Sequence, residues 1–116
     1  MAIELNDEAF IFAEGLIKSG RVVDDLHGEW GTINPDADQQ DVYIEDKGID
    51  AFAQWHLGIN PSANPETKSA YSFPFGDYKN VYRSGLIAAE ERAAQYGYEQ
   101  VRAAAEELLK LFPKSQ

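Results

Sequence analysis

Residues Ser84 to Phe112 constrain the fold more tightly than any other stretch of the chain. Leu86, Ala89, Ala93 and Tyr96 fall on one face at helical spacing, and Ser84 stands where an N-cap would. Gly97 then breaks the pattern, because glycine takes the left-handed conformation that ends helices. A second stripe follows, made of Val101, Ala104, Ala105, Leu108 and Phe112. Glu99 opens it and Lys110 closes it, as the helix dipole favours, and Pro113 stops it. Two amphipathic helices joined by a turn must bury their stripes against each other or against the rest of the chain. The alanines on both let the backbones approach closely.

The remaining elements are shorter. Asn6 is a good N-cap for a first helix running to Ser19, with Phe10, Ala13, Leu16 and Ile17 on its inner face. Arg21-Val22-Val23 reads as a strand or an extended connector. Asp24 to Asp46 is irregular, with turn signals at His27-Gly28, Trp30-Gly31 and Asn34-Pro35-Asp36, the last of which can also begin a short helix with Pro35 at its first position, and a brief strand at Val42–Ile44. Ile49, Phe52, Ala53 and His56 share a helical face that Gly58 ends. Pro65-Glu66-Thr67 starts another short helical piece. Tyr71, Phe73 and Phe75 alternate as in a strand, and Pro74 places that strand at an edge.

The fold class implied is mainly α, with a small α+β variant left open. It has about four helices, a C-terminal helical hairpin and at most a small β-hairpin. The 116 residues suffice for a single globular domain, residues 1–116. Phe10, Leu16, Ile17, Phe52, Leu86, Val101, Leu108 and Phe112 supply the expected core.

Charge narrows the function. The first 58 residues hold 13 acids against three bases (Lys18, Arg21, Lys47), and the remaining 58 hold seven of each. The whole formal charge of −10 therefore lies in one half. Such a field repels phosphate backbones, which argues against direct nucleic-acid binding, and attracts a basic partner. There is no cysteine, so thiolate zinc sites, cysteine nucleophiles and disulfides are excluded. The N-terminus lacks a basic segment followed by an apolar run, and no stretch approaches the ~18 apolar residues of a membrane span. A cytoplasmic protein with no membrane association is the expectation.

Asn34, Asp36, Asp38 and Glu45 fall at positions 1, 3, 5 and 12 of a calcium-loop frame. Gln39 stands where that loop needs its glycine, and Pro35 occupies the second position. His27 and His56 do not form a His-x-x-x-His pair. No nucleotide-binding glycine loop and no Gly-x-Ser-x-Gly is present. No catalytic residue, metal ligand or cofactor is therefore assigned.

The run Phe73-Pro74-Phe75-Gly76-Asp77-Tyr78-Lys79, continued by Val81 to Ala89, resembles a segment of small uncharacterised bacterial and phage-borne proteins. The resemblance covers less than a third of the chain. It implies a shared small fold and no particular chemistry.

Two candidate surfaces remain. Trp55, His56, Tyr78, Tyr82 and Arg83 combine aromatic faces with a cation and suit a ligand cleft. Asp36, Asp38, Asp41, Glu45 and Asp46 lie in the irregular stretch and suit a partner protein with a basic surface. The leading reading is a non-enzymatic acidic interaction module. A small-molecule-binding or enzymatic domain with an aromatic cleft is one alternative, and an acidic DNA mimic is another. The sequence leaves self-association open.

Overall fold

The computed structural model describes residues 3–25 and 29–112. The His27-Gly28 turn signal and the Pro113 helix stop lie outside the described residues. Strand β1 (Glu4–Leu5) leads into helix α1 (Asp7–Lys18), whose first turn carries Asp7 and Glu8 and whose last turn carries Lys18. Asn6 stands at the N-cap position, but its side chain does not cap. Its amide donates instead to the carbonyls of Ala53 and His56, at 3.1 and 3.2 Å. One residue thus ties the start of α1 to a segment some fifty residues on.

Strand β2 (Val22–Val23) pairs in parallel with β5 (Val81–Tyr82), and β5 runs directly into helix α5 (Arg83–Tyr96). Between them lie α2 (Trp30–Ile33), α3 (Ala37–Lys47) and α4 (Ile49–Ala53), then β3 (His56–Ile59), a 3-10 turn (Lys68–Ala70) and β4 (Tyr71–Pro74). The second sheet has the order β1-β3-β4, antiparallel throughout, so β4 forms an edge as Pro74 requires. Helix α6 (Glu99–Leu111) completes the described chain.

The protein is predominantly helical with a small amount of sheet. Six α-helices occur among the described residues, against about four expected from the sequence, because the irregular stretch is itself helical. Residues Val42 to Ile44 lie inside α3, not in a strand. Asp36 accepts the Gln39 N–H at 2.8 Å, while the Gln39 side chain accepts the Asp36 N–H at 2.9 Å. This capping box satisfies two of the donors a helix start leaves unpaired. Gly48, at φ 93°, separates α3 from α4. His56 and Gly58 belong to β3, not to the end of a helix.

The core forms where α6 meets α5, α1 and the β1-β3 pair. Ala9, Ala13 and Ile17 from α1, Leu86, Ala89 and Ala93 from α5, and Val101, Ala105 and Leu108 from α6 are all buried. Alanine at five of these nine positions keeps the helices close. Tyr96, expected on the inner face, is 61% exposed. Phe10 and Leu16 are only partly buried, whereas Trp55, Leu57, Phe73, Phe75 and Val81, absent from the expected core, are buried. Ser84 is not the cap of α5. It lies in the first turn, and its N–H and hydroxyl both donate to the carboxylate of Asp25, 59 positions away, while Tyr82 occupies the N-cap position.

Candidate functional site

A surface groove lies between α3 and the loop that joins β4 to β5. Three contacts shape that loop. Asp77 accepts the N–H groups of Lys79 and Asn80 through Oδ1, at 3.0 and 2.9 Å, and the Tyr82 hydroxyl through Oδ2, at 2.9 Å. The backbone turns so tightly that Tyr78 takes φ 71°. A tyrosine in the left-handed region is strained by about 1–3 kcal/mol, so its surroundings must hold it there. Gly76 leaves room for the Trp55 ring, which a Cβ at that position would strike.

The strained conformation presents Tyr78 to α3. Its ring stacks on Tyr43, with centroids 4.1 Å apart and planes 9° from parallel. Trp55 supports the pair from below: it meets Tyr78 edge-on at 6.0 Å, and its Nε1 donates to the Tyr43 hydroxyl at 3.3 Å. Burial raises the Tyr78 pKa, with the Tyr43 neighbour adding to it, so the hydroxyl stays neutral.

The stack floors an open groove of about 500 Å³. Asp38, Val42, Asp46 and Lys47 of α3 form one wall, and Asp77 and Lys79 the other. Val42 is 67% exposed. Asp38 precedes it by one turn and Glu45 and Asp46 follow by one, so the apolar side chain sits within a row of acids.

The five aromatic-cleft candidates do not line one cleft. Trp55 is buried beneath the groove, and Tyr78 lines it. His56 is 5% exposed, on the far side of Phe52, with its ring 4.3 Å from Phe52 and 6.4 Å from Tyr71. Its Nδ1 lies 2.9 Å from the Phe52 carbonyl and must carry the hydrogen to bond it. Burial lowers its pKa to about 4, against the opposing effect of that hydrogen bond. Tyr82 and Arg83 stand at the start of α5. Tyr82 packs on Trp30 at 5.6 Å, and the Arg83 guanidinium lies 3.6 Å from Asp24. Burial raises the Tyr82 pKa first, and the hydrogen bond to Asp77 raises it further.

The five acidic candidates are carried by a helix and its cap, not by an irregular loop. Asp36 is the cap of α3. Asp38 and Asp46 line the groove, and Asp46 lies 3.8 Å from Lys47. Asp41 pairs with Lys68 at 2.8 Å, and Glu45 is exposed. The calcium-loop frame is laid along this helix, and a helix cannot wrap those side chains around one ion. Among the described residues, no group of three or more His, Cys, Asp or Glu is placed to hold a metal.

The structure thus brings Tyr78 from one predicted set together with Asp38 and Asp46 from the other. Sequence reasoning missed Tyr43 and Val42, which it assigned to a strand. The signal was present as Asp36-x-x-Gln39, a capping-box spacing ahead of residues that favour helix.

No family model, curated protein or solved structure matches the chain. Among the described residues no helix is long and apolar enough to cross a membrane.

Proposed function

We propose that the chain is a non-enzymatic interaction module whose groove between α3 and the 77–79 loop takes a basic segment of a partner protein. One observation carries the reading: the groove combines an exposed aliphatic residue and a stacked tyrosine pair with a row of acids. Lysine and arginine suit such a surface. Their stems cover apolar side chains such as Val42, their cations meet carboxylates, and guanidinium groups favour tyrosine faces. Lys47 and Lys79 also line the groove, so the match is to a segment of mixed charge with an excess of basic residues.

The test is a displayed library of random peptides selected on the full chain, with hits measured by fluorescence anisotropy. Hits should be enriched in Lys or Arg flanking an apolar residue. Their affinity should fall roughly tenfold or more in Val42→Lys and in Tyr78→Ala, as expected for residues at the centre of a contact. Hits without a basic excess, or hits that bind Val42→Lys as well as the wild type, overturn the proposal.

A further inference from the structure

A second cavity, of about 290 Å³, lies between α2, the end of β4 and α5. It is more enclosed than the groove, and its volume is at the low end of the range of about 300–1,000 Å³ typical of ligand sites. Trp30 and Phe73 provide aromatic walls, and Ala88 and Ala89 are small enough to leave the space between them open. Arg92, one turn beyond Ala88 on α5, also lines it. Among the described residues Arg92 forms no ion pair.

Phe73 takes φ 62°, in the region that glycine favours. Proline at position 74 further biases the preceding residue toward an extended backbone, so Phe73 departs from two preferences at once. The β3-β4 pairing marks the place: Ser72 and Pro74 have Cα partners on β3, while Phe73 between them has none. Backbone strain of this kind collects at ligand sites, and here it sets one wall of the cavity.

We propose that this cavity binds a small aryl carboxylate, with the ring between Trp30 and Phe73 and the carboxylate on the Arg92 guanidinium. The planar fork of arginine matches the two carboxylate oxygens. A chain of formal charge −10 repels anions at large, so an anion can dwell only where a local cation holds it. The same field disfavours a doubly charged phosphate relative to a singly charged carboxylate. The volume admits one ring and its acid group. This site shares no lining residue with the α3 groove, and it stands or falls separately from the interaction-module reading.

The experiment titrates the full chain with phenylacetate and, as the neutral isostere, phenylacetamide, followed by two-dimensional amide and indole NMR. Phenylacetate should give saturable shifts at the Trp30 indole. In Arg92→Gln, an exposed helix position that leaves the core untouched, its affinity should drop roughly tenfold while phenylacetamide binding stays unchanged. Ala88→Leu, which fills the cavity, should abolish both. No saturable shift at Trp30, equal phenylacetate affinity in Arg92→Gln and wild type, or binding that survives a folded Ala88→Leu would each overturn the proposal.

Discussion

His56 shows how one residue ties the fold to pH. It is neutral and buried, and its folded pKa of about 4 lies below the unfolded value of 6.5. The unfolded chain therefore takes up the proton first as the solution is acidified. The contribution to stability is complete above about pH 6.5 and is lost as pH falls toward 4, where it amounts to roughly 3 kcal/mol. Replacing it with glutamine keeps a donor for the Phe52 carbonyl and removes the titration. Urea unfolding at pH 7 and pH 5 should show wild type losing about 2 kcal/mol more than His56→Gln between the two. Parallel losses would mean that the imidazole stays solvated enough to charge in place. The burial of this histidine was readable from the sequence as an apolar neighbourhood, but its strand was not. Ile49, Phe52, Ala53 and His56 have the spacing of a helix, and α4 uses the first three. The chain then turns at Gln54-Trp55, because Leu57 and Gly58 are held between β1 and β4, strands made of residues far away in sequence. Tyr78 and Phe73 pose the same problem in sharper form. Nothing in a tyrosine or a phenylalanine announces a left-handed backbone. At Tyr78 the Asp77 side chain holds it in place by accepting the N–H groups of Lys79 and Asn80.

At the scale of the element, legibility followed the apolar stripe. The inner faces of α5 and α6 were legible because each repeats an apolar position every three or four residues, and the φ of 77° at Gly97 ends α5 as glycine permits. Leu108 is fully buried at the centre of the α6 stripe, so Leu108→Ala should cost about 2–5 kcal/mol, measured as a lowered urea midpoint with an unchanged slope. A loss below ~0.5 kcal/mol would place that face against nothing. Helix α3 lacks such a stripe: none of its residues is fully buried, and it packs on the core through Tyr43, its one aromatic residue. Its start therefore depends on its cap. Asp36→Ala should cost about 1 kcal/mol, and Asp36→Asn much less, because asparagine also accepts from the third helical N–H. Equal loss in the two variants would assign the effect to charge. Asp36 thus belongs to the structure of the helix, while Asp38 and Asp46 belong to the groove that the helix presents.

At the scale of the molecule, five of the thirteen acids in the first half fall on α3 and its cap. Asp36 caps, Asp41 pairs with Lys68 and Asp46 lies near Lys47, so on this helix Asp38 and Glu45 are the acids that form no ion pair among the described residues. Exposed charges interact through a Debye length of ~8 Å at physiological ionic strength and farther in dilute buffer. The variant Asp38→Asn/Glu45→Gln/Asp46→Asn should therefore melt higher than the wild type at low salt, and the gap should close as salt is added. The same variant tests the role of the groove, because the charges that destabilise the free protein are the ones a cationic segment would use. Its association rate with a basic library-selected peptide should be slower at low salt by roughly tenfold, approaching the wild-type rate at high salt, while Asp36 and Asp41 keep the helix and its ion pair in place. Stopped-flow measurement at two ionic strengths reads both proteins. A higher melting temperature with unchanged association would make the acid row a solubilising surface only. A slower association with unchanged melting would mean that the carboxylates already lie too far apart to repel, and that their spacing serves the partner alone.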